Sequence, residues 1–123
     1  MREEVERWIK MAKDDFDSAR SNFENKKYYV CAFLSQQAAE KALKAILLEK
    51  TKKIIKIHNL VILGRKVNLP NDLIDKCKLL SIAYLETRYE LGNKIPSEKF
   101  SEENSLKYLN IAKEILSWVE KNI

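Results

Sequence analysis

Apolar side chains recur along this chain every three to four residues, the spacing of helices that bury one face. Val5, Trp8, Ile9, Ala12, Phe16, Ala19 and Phe23 share such a face, which predicts a first helix over residues 3 to about 24, with acidic residues near its start suited to the dipole. After Asn25, Lys26 and Lys27, residues 28–50 contain no glycine or proline and are rich in Ala, Leu, Gln, Glu and Lys, so a second long helix is expected there. Lysines at its end complement the dipole and lead into a loop. A shorter helix is expected to start with Asn59 as its N-cap and to end at residues 66–68, before Pro70. Asp72 with Asp75 resembles a capping pair for a fourth helix over residues 73 to about 88. Gly92 and Pro96 mark a loop. Ser101 is placed to cap a last helix whose stripe is Leu106, Leu109, Ala112, Ile115, Leu116 and Val119. The pattern predicts an all-α fold, an antiparallel up-and-down helical bundle of four long helices plus one short helix, forming a single domain over residues 1–123.

Composition narrows the classes of function. Of 123 residues, 46% are hydrophobic and 33% charged, with two glycines and two prolines, which favours long amphipathic helices over strands or disorder. A net charge of +5 permits contact with phosphates or an acidic partner without requiring it. The longest apolar run, residues 45–48, is too short to span a bilayer, and the start MREEVERW lacks a signal-like apolar stretch. A cytoplasmic protein with no membrane contact is therefore expected. Cys31 and Cys77 stand far apart and neither belongs to a C-x-x-C pair. With His58 as the single imidazole they imply two buried thiols, no metal site and no cofactor. Phosphate-loop, G-x-S-x-G and H-E-x-x-H motifs are all absent.

Three groups of residues could carry chemistry. In SQQAAEKALKA of the second helix, Gln36, Glu40 and Lys44 follow one another at intervals of four, with Gln37 and Lys41 beside them. On residue types such a ladder reads as a solvated face. The neighbouring Ala38, Ala39, Ala42 and Ala45 permit a second reading, in which another helix approaches closely and the polar groups need partners. Arg88 extends the face of Ile74, Cys77, Ser81, Tyr84 and Leu85, and reads equally as a phosphate ligand or as a snorkelling or capping arginine. Tyr84 and Tyr89 flank it and could stack on a base or pack inside, while Lys94 and Lys99 offer phosphate contacts or face solvent. His58, before the third helix, reads first as a local cap or loop hydrogen bond and second as a catalytic group.

SQQAAEKALKA with the following IHNL, Trp8, Ala12, Asp15 and Ala19 of the first helix, Tyr84, Arg88 and Tyr89 of the fourth, and the closing AKEILSWV together resemble a HEPN domain over essentially the whole chain. The resemblance implies a bundle that commonly forms homodimers and is often encoded beside a minimal nucleotidyltransferase in toxin–antitoxin pairs. It also implies that active members cut RNA without a metal, through an Arg followed after four to six residues by His, paired across the dimer. Arg88 takes the arginine position, but Asn93, Lys94 and Ile95 fill the window where the histidine belongs. Asn93 cannot accept the 2′-OH proton or protonate the leaving oxygen. The leading expectation is thus a binding component of a nucleotidyltransferase-linked pair, holding RNA or nucleotide phosphate through Arg88, Tyr84, Tyr89, Asn93 and Lys94. One alternative is a metal-independent endoribonuclease with Arg88 and His58 or Lys94 as catalytic candidates. The other is a protein-interaction module in which Arg88 pairs with Glu40 and no nucleic acid binds.

Overall fold

The computed structural model describes residues 2–88 and 94–123. In chain order the helices are α1 (Arg2–Glu24), α2 (Tyr28–Thr51), α3 (Leu60–Lys66), α4 (Asn71–Arg88), α5 (Pro96–Lys99) and α6 (Glu102–Asn122). The all-α class and the four long helices agree with the apolar spacing. Helix α5 adds a single turn in the stretch read as a loop. Pro96 occupies its first turn, where a missing N–H costs nothing, and the Glu98 carboxylate accepts from the Ile95 N–H at 3.0 Å.

Two of the expected caps form as the sequence implies. Asn59 Oδ1 accepts from the N–H groups of Val61 and Ile62 at 3.0 and 3.1 Å, and Ser101 Oγ accepts from Asn104 N–H at 3.1 Å while Asn104 Oδ1 accepts from Ser101 N–H at 2.9 Å. The start of α4 differs. Its helix begins at Asn71, Asp72 lies inside the first turn, and the Pro70 carbonyl accepts from Leu73 and Ile74 N–H. Between α3 and α4, Asn68 takes a left-handed φ of 59°, and Leu69 N–H returns to the Gly64 carbonyl at 2.9 Å. Gly64 is small for a packing reason: a Cβ there would stand 2.8 Å from Ile74 Cδ1.

Helix α1 buries only a stripe, with Val5, Ala12 and Ala19 inside and Trp8, Ile9, Phe16 and Phe23 half-buried along its flanks. Helix α2 is buried almost all round and packs against α1, α3, α4 and α6. Its alanines permit this. Ala32, Ala38, Ala39, Ala42 and Ala45 are fully buried, so neighbouring backbones approach where larger side chains would hold them apart. Leu43, Ile46 and Leu47 of α2 meet Leu60 and Leu63 of α3, Cys77 and Leu80 of α4, and Ile115 and Val119 of α6 in the main core. Among the described residues no helix is long and apolar enough to cross a membrane.

Ala42→Leu adds volume where α2 has none to spare, and overpacking of this kind costs about 1–3 kcal/mol. A thermal melt should show a drop of several degrees in Tm, and an unchanged Tm would mean that the packing about α2 is slack.

Candidate functional site

Because α2 is buried on nearly every side, its polar residues must find partners inside the bundle. Gln36 and Glu40 are 2% and 7% exposed, so the ladder is not the solvated face its residue types suggest. Glu40 Oε2 lies 3.0 Å from Lys44 Nζ and 2.8 Å from His58 Nδ1, and Glu40 Oε1 accepts from Gln36 Nε2 at 3.3 Å. Gln37 Nε2 donates to Gln36 Oε1 at 2.7 Å, which leaves each member of the row engaged. Lys44 Nζ also sits 5.7 Å from the Trp8 ring centroid, a cation–π contact with α1. One turn away, Lys41 Nζ and Asp15 Oδ2 close a second α1–α2 link at 2.5 Å. Burial alone would raise the Glu40 pKa. The hydrogen bonds from His58, Lys44 and Gln36 and the Lys44 charge outweigh it, and the carboxyl titrates below its ordinary value of 4.5.

His58 is not a local cap; Asn59 has that role. The imidazole is largely exposed but reaches back 18 residues to Glu40, fastening the α2–α3 connection to the middle of α2. Glu40 thus takes Lys44 and His58 as its charged partners, not the Arg88 that the interaction-module reading expected.

Arg88 is linked through Tyr84 to Phe33, nearer the start of α2. It is exposed in the last turn of α4, where a cation also complements the helix dipole. Its Nη1 donates to Tyr84 Oη, its Cζ lies 5.3 Å from the Tyr84 ring centroid, and the Tyr84 ring stacks on Phe33 of α2 with centroids 5.8 Å apart. The stack fixes the aromatic ring, and the ring orients the guanidinium. Lys94 is exposed, while Tyr89 and Asn93 lie outside the described residues. Glu40 follows Phe33 by seven residues along α2, roughly 10 Å of helix axis, so the single imidazole and the arginine occupy different stretches of the bundle within one protomer.

Two members of these clusters were not legible in the sequence. Phe33 beneath Tyr84 and Trp8 beside Lys44 are ordinary apolar positions of amphipathic helices, and only the helix packing turns them into supports for a cation. Cys31 and Cys77 are buried free thiols whose pKa values burial pushes up to about 11 and about 12, which makes both poor nucleophiles.

Glu40→Gln keeps the shape and removes the charge that Lys44 and His58 face. At neutral pH it should cost about 1–3 kcal/mol of stability. Since the folded pKa is lowered, the carboxylate stabilises the protein above its unfolded pKa, and that contribution disappears as pH falls through the folded value. Chemical denaturation across a pH series should therefore show the two proteins converging below about pH 4.5, whereas a constant gap would place the effect elsewhere.

The family model described as "HEPN domain" matches residues 5–122 of this chain. The solved structure of TT1696 from Thermus thermophilus superposes with a TM-score of 0.90 at 26% identity, covering 97% of this chain and 98% of that one. The solved structure of ST0689, an archaeal HEPN homologue, gives a TM-score of 0.82 at 32% identity, covering 96% of each chain. Among curated proteins no significant match exists. Helix order, the α2 polar row and a family match over nearly the full length lead to one assignment: the chain belongs to the HEPN domain family.

Proposed function

We propose that the protein is a HEPN binding component that holds RNA or nucleotide phosphate at the α4 end, acting as a homodimer and without cleaving its ligand. The supporting observation is the exposed Arg88 guanidinium, oriented by Tyr84 on the Phe33 stack. A planar, permanently charged fork suits bidentate contact with phosphate oxygens. Lys94 adds a nearby charge along the chain.

Turnover needs a group that takes the 2′-OH proton and one that protonates the leaving oxygen. His58 is engaged with Glu40, seven residues along α2 from the Phe33 on which Tyr84 stacks, which favours binding over hydrolysis. For the dimer, the support is the outer side of α4, where Leu79, Ile82 and Leu85 are 39%, 56% and 50% exposed in a row that leads to Arg88, with Leu106 of α6 42% exposed. A helix with apolar residues both inside and outside has a face left to cover, and a two-fold contact through this row would bring two arginines to one cleft. The partner encoded alongside would be a minimal nucleotidyltransferase, as is common for small members of the family.

Fluorescence anisotropy with labelled single-stranded RNA should show binding that Arg88→Ala weakens at least about tenfold, with the RNA intact after incubation in EDTA. RNA binding unchanged by Arg88→Ala would refute the site, and cleavage abolished by that substitution would replace binding with catalysis. Ile82→Asp should convert a dimer to a monomer in light scattering; a monomeric parent protein would contradict the dimer.

A further inference from the structure

The connection between α2 and α3 carries a second surface that the RNA site does not use. From Ile54 to His58 the residues run exposed, half-buried, exposed, half-buried, exposed. A period of two is the signature of extended backbone. Ile55 and Ile57 point inward and pack on the main core, while Ile54, Lys56 and His58 point outward, and the Glu40–His58 contact fastens the far end of the segment. Among the described residues, no backbone–backbone hydrogen bond involves residues 54–58, so a row of amide and carbonyl groups is left for solvent or for another chain.

Beside this extended segment runs a groove of about 500 Å³ between Ile54 and the outer side of α1, floored by Trp8 and Met11. Ile54 is 62% and Met11 38% exposed, a large apolar surface for a segment between helices. The charge about the groove is unbalanced. Arg7 on the groove and Lys53 and Lys56 on the adjoining segment have no ion-pair partner among the described residues, three cations against the one unpaired carboxylate of Glu4, whereas Asp14 is already paired with Lys10 at 3.3 Å.

We propose that this segment is a docking edge for an extended, acidic and apolar peptide of a partner protein, which adds to residues 54–58 as a second strand. The backbone groups of the segment supply main-chain hydrogen bonds. The Trp8–Met11–Ile54 groove takes alternate apolar side chains, and Arg7, Lys53 and Lys56 receive the carboxylates between them. A nucleic acid fits the surface less well, because the groove floor is apolar and offers its backbone no row of polar partners.

The test uses a short fluorescein-labelled peptide of alternating Glu and Leu, its counterpart with Lys in place of Glu, and a short oligouridine. The acidic peptide should bind with a Kd below about 1 mM and the basic one should not. Ile54→Asp and, separately, the double change Lys53→Glu with Lys56→Glu should each weaken binding at least about tenfold, and Arg88→Ala should leave it unchanged. Both sets of substitutions alter exposed side chains, and a melting curve checks that the fold is retained. Hydrogen exchange should slow at the amides of residues 54–58 when the acidic peptide is present. The proposal is overturned by any of three results: no binding of the acidic peptide, binding that Ile54→Asp does not weaken, or slowed exchange at these amides with oligouridine but not with the peptide.

Discussion

A carboxylate inside a helical bundle constrains everything around it, and here that carboxylate is Glu40. An unpaired charge at 7% exposure would cost several kcal/mol, and a half-satisfied one is little better. Lys44, His58 and Gln36 together keep it ionised, and each partner anchors a different part of the chain. Lys44 brings in Trp8 of α1, His58 brings in the α2–α3 connection, and Gln36 passes the network to Gln37. The row therefore works as a register mark for α2. If the helix slid or rotated, the polar side chains would lose their partners together, whereas its buried alanines alone would tolerate several positions.

This arrangement gives the two proposed sites separate places in the bundle. At one end, α4 finishes on an arginine seated on Tyr84, whose ring stacks on Phe33, with an apolar row leading to it. Toward the other, a strand-like connection fastened by His58 lies against an apolar groove. The imidazole suited to acid–base chemistry is thus committed to structure, and the arginine that suits phosphate stands without it. On the proposed reading, the arginine holds phosphate while the imidazole serves the fold.

Much of this was legible in the sequence. The helical stripes, the Asn59 and Ser101 caps and the family resemblance rest on local spacing, and local spacing is what a sequence records directly. The burial of Gln36 and Glu40 was legible only as the second of two readings, the one that the neighbouring alanines permitted. Polar residues at intervals of four look solvated unless the approach of neighbouring helices is known, and that approach depends on alanines whose effect is tertiary. For His58 the loop hydrogen bond agrees with the sequence reading and the cap does not, and its partner, 18 residues back, required the fold. Helix α5 escaped because a proline that opens a helical turn carries the same letter as one that ends it. For Arg88, the sequence supplied the residue and its place on α4, but the support from Phe33 required the fold.

The most direct measurement is a nuclear magnetic resonance titration of isotope-labelled protein with a short single-stranded RNA, following the backbone amides and the arginine Nε–Hε signals together. The account predicts saturable shifts at residues 84–88, including the Arg88 side chain, with His58 unmoved and the RNA unchanged at the end. Shifts confined to residues 52–58, or none at all, would contradict a phosphate site at the α4 end.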